Sequence, residues 1–560
     1  MRNIIRRWFA GFSLWQFLVL TFCLFAFSVV LILPLFSLFS KAFLNQSGAF
    51  VGFENYVKYF STPTLSASVA NTIDISLCST VFSVTFGFLY AFAITRTRIS
   101  CKTFFKYIAL IPIFIPTVVH ALGLVYMFGR QGILTRAGLF PFELYGRLGI
   151  ILSEIIYTFP PAFLMFFVAL EFADGRLYEA ADSMGVSPFK KLLWITLPEI
   201  RYTIIGVFSV CFTLAFCDFG APKVIGGSFN VLATDIYKQV AGQFNFNMGA
   251  VVGTLLLIPA VMSFIADRLI TSKNTGTVNA KATMLAIKKS KKRDTFFFVF
   301  CSLITTFFLF LIATLFIGGL SENYPYNLSF TLKNFQFSRS AGGLDSYFNS
   351  LRMALFTAAF GTAFVFIYTY MVEKTQGFGI LRKYGKLLAV LPLALPGMVI
   401  GISFIFFFNN ASNPLHFIYG TVAIIVISNI LHYFSVPFLT ASGCLKKLDH
   451  EFESVSDSMN VPRWKTFLRV SVPLSMPAIL EIFMYYFVNA MVTVSAVVFL
   501  YNAKFKIAAI AITHMEEAGN FGQAAAMSLL ILLINVLVRT LYEVVIMIIK
   551  RRTNKKEVPA

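Results

Sequence analysis

Charged side chains are scarce in this chain: Asp, Glu, Lys and Arg make up 13% of its 560 residues, and only 25 are acidic against 46 basic. A soluble globular chain carries about 25%, so a water-covered surface is excluded. Cysteine is thin as a chemical resource. The seven (Cys23, Cys78, Cys101, Cys211, Cys217, Cys301, Cys444) show no C-x-x-C spacing and most lie in apolar stretches, which argues against a disulfide framework or a thiolate metal site. The five histidines (His120, His416, His432, His450, His514) are dispersed without an H-E-x-x-H pair, so no metal ligand is assigned to them. A phosphate-binding G-x-x-x-x-G-K-[ST] is also missing. Gly385-Lys386 is followed by leucine and lacks the upstream glycine, so the chain is not expected to hydrolyse a nucleotide or to act as an enzyme by itself.

What fills the sequence is apolar: 58% of residues are hydrophobic. Runs of about 20 such residues cross the ~30 Å hydrocarbon core as helices. About a dozen are present, near 14–40, 70–95, 105–128, 148–172, 202–221, 247–270, 295–319, 348–373, 384–408, 415–440, 475–500 and 524–549. The first follows Arg2, Arg6 and Arg7 like a signal peptide, but it is too long and has no small-residue cleavage site, so it reads as a retained span. The net charge of +21 invites a nucleic-acid reading. Threading twelve spans from a cytoplasmic N-terminus puts most Lys and Arg in cytoplasmic segments, among them Arg96, Lys102, Lys190, Lys191, Lys288, Arg293 and Lys550. The positive-inside rule then explains the basicity, with both termini cytoplasmic and no nucleic acid involved.

The chain is also duplicated. "EAADSMGVSPFKKLLWITLP" (179–198) returns 275 residues later as "SVSDSMNVPRWKTFLRVSVP" (454–473). Asn71-Thr72 matches Asn349-Ser350, and Ile111 to Pro116 matches Leu391 to Pro396. The polar, Lys-rich stretch 271–294 is the natural linker, giving a first half 1–270 and a second half 295–560 of about six spans each. An even number of spans per repeat keeps the copies parallel, so both quoted loops face the cytoplasm. The fold class is an all-α polytopic membrane protein, two parallel six-helix repeats. Each loop reads as helix, turn and helix: Gly185 or Asn460 takes the left-handed turn, Ser187 caps, Pro188 or Pro462 opens the second helix, and Pro198 or Pro473 ends it.

Glu179-Ala180-Ala181 with Gly185, Ile195, Leu197 and Pro198 resembles the EAA signature of permeases of type I binding-protein-dependent ABC importers, a MetI-like fold. The second copy departs from it: Ser454-Val455-Ser456 stands for the triplet with Glu453 one residue earlier, Asn460 stands for the glycine, and Val472-Pro473 closes it. The resemblance implies two copies of an ABC ATPase docked on the loops, with ATP and Mg bound there and no cofactor on this chain. It also implies an external solute-binding protein and residence in the lipid bilayer of a bacterial cytoplasmic membrane.

Polar groups within or at the ends of spans are candidates for the solute path. Glu154, Asp218, Asn489, Thr493 and Ser495 are named, against readings in which Glu154 is interfacial, Asp218 caps a helix or pairs with Lys223, and the hydroxyls bond their own backbone. The 67 phenylalanines read as lipid-facing and packing surface, and Pro112, Pro116, Pro392 and Pro396 as kinks. The resemblance is to the ferric-iron and 2-aminoethylphosphonate branch. Met491 to Ser528 and Gly397 to Asn409 look more like the phosphonate permeases, so the phosphonate is the expected solute and ferric iron the alternative. An ion-coupled secondary transporter is the reading from another class, and has no need of the duplicated loops.

Overall fold

Two proline pairs set the sharpest bends of the apolar runs. The computed structural model describes residues 14–273, 287, 289–338, 342–375, 378–449 and 451–554. Arg2, Arg6, Arg7, His450 and most of the expected linker lie outside them. In the first repeat the principal elements are α1 (Leu14–Ala42), α2 (Pro63–Arg96), α3 (Lys102–Ile108), α4 (Thr117–Phe128), α5 (Arg147–Glu171), α6 (Gly175–Ser183), α7 (Pro188–Lys191), α8 (Arg201–Cys217), α9 (Gly220–Ile225), α10 (Leu232–Tyr237) and α11 (Phe246–Lys273). The second repeat begins with α12 (Lys291–Leu320) and a hairpin of β1 (Ser321–Asn323) and β2 (Asn327–Phe330), followed by α13 (Asp345–Lys374), α14 (Gly379–Val390), α15 (Gly397–Phe408), α16 (Val422–His432) and α17 (Ser435–Lys447). It ends with α18 (Glu451–Ser458), α19 (Arg463–Thr466), α20 (Met476–Val492), α21 (Ala508–Glu517) and α22 (Phe521–Asn554).

Among the described residues seven helices are long and apolar enough to cross a bilayer, and five bent pairs raise that to twelve. The third and ninth spans turn by 108° and 110° where Pro112 to Pro116 and Pro392 to Pro396 interrupt the helix. Each second proline is an N-cap with extended ψ, so the helix restarts in a new direction. His120 sits 3.1 Å from the Pro112 carbonyl through Nε2, re-satisfying an acceptor that the break releases. Several spans are offset from their expected bounds, the second beginning at Pro63 rather than near 70. The tenth begins at Val422 rather than near 415 because Gly420, at φ +73°, ends the preceding turn. The eleventh stops at Val492 instead of 500, where Thr493 is extended.

The chain packs into two bodies. One comprises Val51–Ser338 with Ile512–Leu529, and the other Met1–Phe50, Arg339–Ala511 and Leu530–Ala560. The bodies therefore cut across the sequence repeats. In the first body α12 packs along α4 and α2. Gly318 permits it, since a Cβ there would lie 2.6 Å from the Tyr126 ring, and Leu311 fits over Gly123. In the second body α1 packs along α15 and α13, with Phe27 against Phe434 (ring centroids 4.4 Å) and Leu24 over Gly385. The opposite face of α1 exposes Phe22, Phe25 and Phe36, the outward apolar face that a span surrounded by lipid needs.

Candidate functional site

The first loop is built by local rules. Asp174 caps α6, its carboxylate accepting from the Arg176 N–H at 3.1 Å. Gly185 leaves the helix at φ +66°, and the Val186 N–H closes the turn on the Ala181 carbonyl at 3.0 Å. Ser187 is the N-cap of α7 and Pro188 its first residue. A π turn at Leu192–Thr196 and a 70° bend then lead into α8. Two contacts fix the pair of short helices: Lys191 pairs with Asp182, and the Tyr178 hydroxyl meets the Thr196 hydroxyl at 2.9 Å. Arg96, the last residue of α2, lies 4.8 Å over the Tyr178 ring and ties the loop to its body.

The signature residues divide by face. Glu179, Ala180, Gly185 and Pro198 are exposed, Ile195 and Leu197 are half-buried, and Ala181 is buried. Met184, Phe189 and Trp194, on the same loop as Glu179, stand largely in the open. Large apolar side chains exposed on one loop are the composition of a protein-docking surface.

The second loop reproduces the turn with other residues. Asn460 adopts φ +57° and the Val461 N–H returns to the Ser456 carbonyl at 2.9 Å, so asparagine performs the glycine's turn. Pro462 is the N-cap and α19 begins one residue later than expected, at Arg463. Asp457, aligned with Asp182, again clamps the second helix, but its cation is Arg463, with both guanidinium contacts at 2.6 and 3.0 Å. Ser456 meets Thr466 hydroxyl to hydroxyl. Ser454, Met459, Trp464 and Leu468 are exposed, and Pro473 with them, while Val472 is half-buried. Glu453 is a different matter. It is buried against Lys374 at 3.3 Å, so it faces its own body and does not stand in for Glu179. Lys374 aligns with Arg96 and Glu453 with Tyr178: each repeat ties its loop to the end of its second span, one by an ion pair and the other by a cation on a ring.

The path candidates divide between the bodies. In the first, Glu154 of α5 is fully buried beside Asp218, and neither of its carboxyl oxygens has a hydrogen-bond donor. Asp218 follows the end of α8 and accepts from the Ala221 N–H at 2.9 Å and the Thr117 hydroxyl at 2.8 Å. It does cap the next helix, but Lys223 pairs with Glu517 at 2.6 Å instead. Thr117 was not legible from sequence; only its place at the restart after Pro116 marks it. In the second body Thr493 holds the position of Asp218 and Asn429 that of Glu154, both buried. Ser495 lies against Gly397, its hydroxyl where a Cβ would stand, the reverse of Thr117 against Gly220. Asn489 donates to the Tyr485 carbonyl of its own helix at 2.8 Å, a bond within α20.

The family described as "binding-protein-dependent transport system inner membrane component" matches residues 83–273 and 369–550, once in each repeat. The ferric transport system permease protein FbpB of Actinobacillus pleuropneumoniae is 30% identical over 488 residues, covering 84% of this chain and 70% of that protein. The Fe(3+)-transport system permease protein FbpB 2 of Haemophilus influenzae is 21% identical over 86% of this chain and 90% of that one. A chain of a bacterial alginate ABC transporter, solved in complex with a periplasmic protein, matches 49% of this chain and 98% of its own length at 20% identity and a TM-score of 0.40.

Proposed function

The chain belongs to the family of binding-protein-dependent transport system inner membrane components, and from that premise we propose that it carries ferric iron across the membrane. It is the multi-pass membrane permease of a bacterial ABC importer. The solute assignment rests on relatives named for ferric transport that align over most of the chain. That observation favours iron over the 2-aminoethylphosphonate expected from Met491 to Ser528 and Gly397 to Asn409. The donor set at the candidate path suits it: Glu154 and Asp218 bring adjacent carboxyl oxygens, the ligands that a hard cation takes.

Two ATPase subunits dock on the loops at 179–198 and 454–473, which face the cytoplasm together with both termini. Glu179, Ala180 and the exposed apolar side chains of the first loop meet the first subunit; Ser454, Met459 and Trp464 meet the second. ATP and Mg are bound by those subunits. Closure of the ATPase pair draws the loops together, and the bend that follows each loop, 70° into α8 and 76° into α20, passes that movement to the span leading to Asp218 or Thr493. Solute from an external binding protein then meets Glu154 and Asp218.

The experiment is uptake in vesicles carrying the permease with its cognate ATPase and binding protein, comparing labelled ferric iron with labelled 2-aminoethylphosphonate. ATP-dependent iron accumulation that falls in Glu154→Gln and Asp218→Asn is the expected outcome. Phosphonate uptake instead overturns the solute, and uptake that ignores ATP overturns the coupling.

A further inference from the structure

The ends of α2 and α5 and the start of α3 enclose a cavity of about 330 Å³, at the lower end of the ~300–1,000 Å³ typical of ligand pockets. Three cations line it: Arg96, Lys102 and Lys106. Arg96 is 7% exposed, and its Nε and one terminal nitrogen donate no hydrogen bond, an arrangement that a desolvated guanidinium holds only at a cost. Lys106 lies 4.0 Å over the Phe167 ring. One carboxylate, the exposed Glu171, also lines it, so the lining keeps a net positive charge, and Asp294 is near Lys102 together with Arg98 and Arg293.

The second repeat provides an internal control. Thr95 aligns with Glu373, Lys106 with Lys386, Phe167 with Ser442 and Glu171 with Lys446. There, the Glu373 carboxylate takes Lys386 at 2.8 Å, the Ser442 hydroxyl at 2.8 Å and Lys446 at 3.6 Å. Arg382, aligned with Lys102, is turned onto the carbonyls of Val372 and Glu373. A resident anion therefore sits among the cations of the second repeat. In the first repeat its place is taken by Thr95, whose hydroxyl is spent on the Ala91 carbonyl of its own helix at 2.7 Å.

We propose that the cavity binds the phosphoryl group of an anionic phospholipid, the external anion replacing the carboxylate that Glu373 supplies in the other repeat. The guanidinium fork of Arg96 and the point charges of Lys102 and Lys106 suit a phosphate diester. The cavity lies at helix ends on the cytoplasmic side, an assignment that rests on the orientation proposed above, where anionic headgroups gather and basic pockets between spans hold them. Phe104, Tyr107 and Val168, exposed beside the cavity, offer apolar surface to the acyl chains.

The test is native mass spectrometry of the intact transporter released from nanodiscs of mixed phosphatidylglycerol and phosphatidylcholine, with thermal melting to certify folding. The wild type is expected to retain one phosphatidylglycerol per chain more than Thr95→Glu, which places the second repeat's carboxylate in the cavity. Glu373→Thr is expected to gain one, and Lys106→Gln to lower occupancy several-fold, which keeps the test alive if Thr95→Glu fails to fold. Equal retention in wild type and Lys106→Gln overturns the site. Displacement by inorganic phosphate alone overturns the lipid as its occupant in favour of a soluble anion. ATP-driven uptake of any solute is not needed for this readout, so failure of the iron assignment leaves it intact.

Discussion

Replacing Glu453 by glutamine isolates one link between a loop and its body. Lys374 and Glu453 have side chains 1% and 6% exposed, 3.3 Å apart, and Lys374 keeps only the Leu448 carbonyl, at 2.9 Å, as a further anchor. Removing the carboxylate leaves an ammonium buried without its counter-charge, a change that costs ~3–5 kcal/mol. At 1.36 kcal/mol per decade, amide protection in α18 should fall roughly 10²- to 10⁴-fold, or until local opening reaches the exchange limit. The matched change in the first repeat is Tyr178→Phe. It keeps the ring beneath Arg96 and removes only the hydroxyl that meets Thr196, so about 1 kcal/mol and roughly a fivefold loss in α6 are expected. Hydrogen exchange read by mass spectrometry over 451–458 and 175–183 compares them in one protein preparation. A Glu453→Gln loss no larger than that of Tyr178→Phe would refute the argument that the second loop depends on a buried ion pair.

Three further outcomes are expected. Gly185→Val forces a β-branched residue to φ +66° and should destabilise the first turn by ~1–2 kcal/mol and reduce ATPase copurification, whereas Asn460→Gly should be neutral or stabilising in the same pull-down. Gly318→Leu drives a side chain into Tyr126, so the apparent melting temperature should drop by an amount matching ~1–3 kcal/mol, while Phe25→Leu on the exposed face should leave it unchanged. Glu516, at the end of α21 and outside the candidate spans, is pushed up to about 7, first by burial and then by Glu517 beside it. A raised carboxyl binds its proton more tightly in the folded state, so stability from this site is greatest at or below the unfolded value and is lost as pH rises from about 4.5 to about 7. Melting temperatures at pH 5 and pH 7.5 should converge in Glu516→Gln. Glu517 is held down to about 2, first by the His514 hydrogen bond and then by Lys223, so its contribution stays constant across that window.

The turns were legible because their causes are local: a glycine or asparagine at positive φ, a serine cap and a proline at or just before the first helical position each act within four residues. The bends of the third and ninth spans were legible for the same reason, and the 57° bend of the tenth was not. The clamps were not, although Asp182 and Asp457 sit inside the Asp-Ser-Met shared by both loops, because their cations come from unaligned positions, Lys191 and Arg463. Glu453 misled because one residue along a helix is about 100° around it, which carries an acid from the outer face of Glu179 to the inner face of Tyr178. Glu154 and Asp218 stand 64 positions apart in sequence, and only the packing of α5 against the break after α8 brings them together. The solute expectation leaned on two short stretches of the second repeat, whereas relatives aligned over most of the chain favour the ferric alternative.

The exchanged first helices set a schedule for synthesis. α1 leaves the ribosome first, but the surface it covers, on α15 and α13, is made roughly 300 residues later, a wait of ~15–60 s at 5–20 residues per second. During that interval Phe27 and Leu24 have no partner rings or glycines to rest on, and lipid must solvate the face that protein will later cover. The body around α4 also waits, since it includes residues 512–529, and the other is completed only by residues 530–560. Neither body can close until the other repeat has been translated, so a ribosome that stalls midway leaves two unfinished structures rather than one finished half.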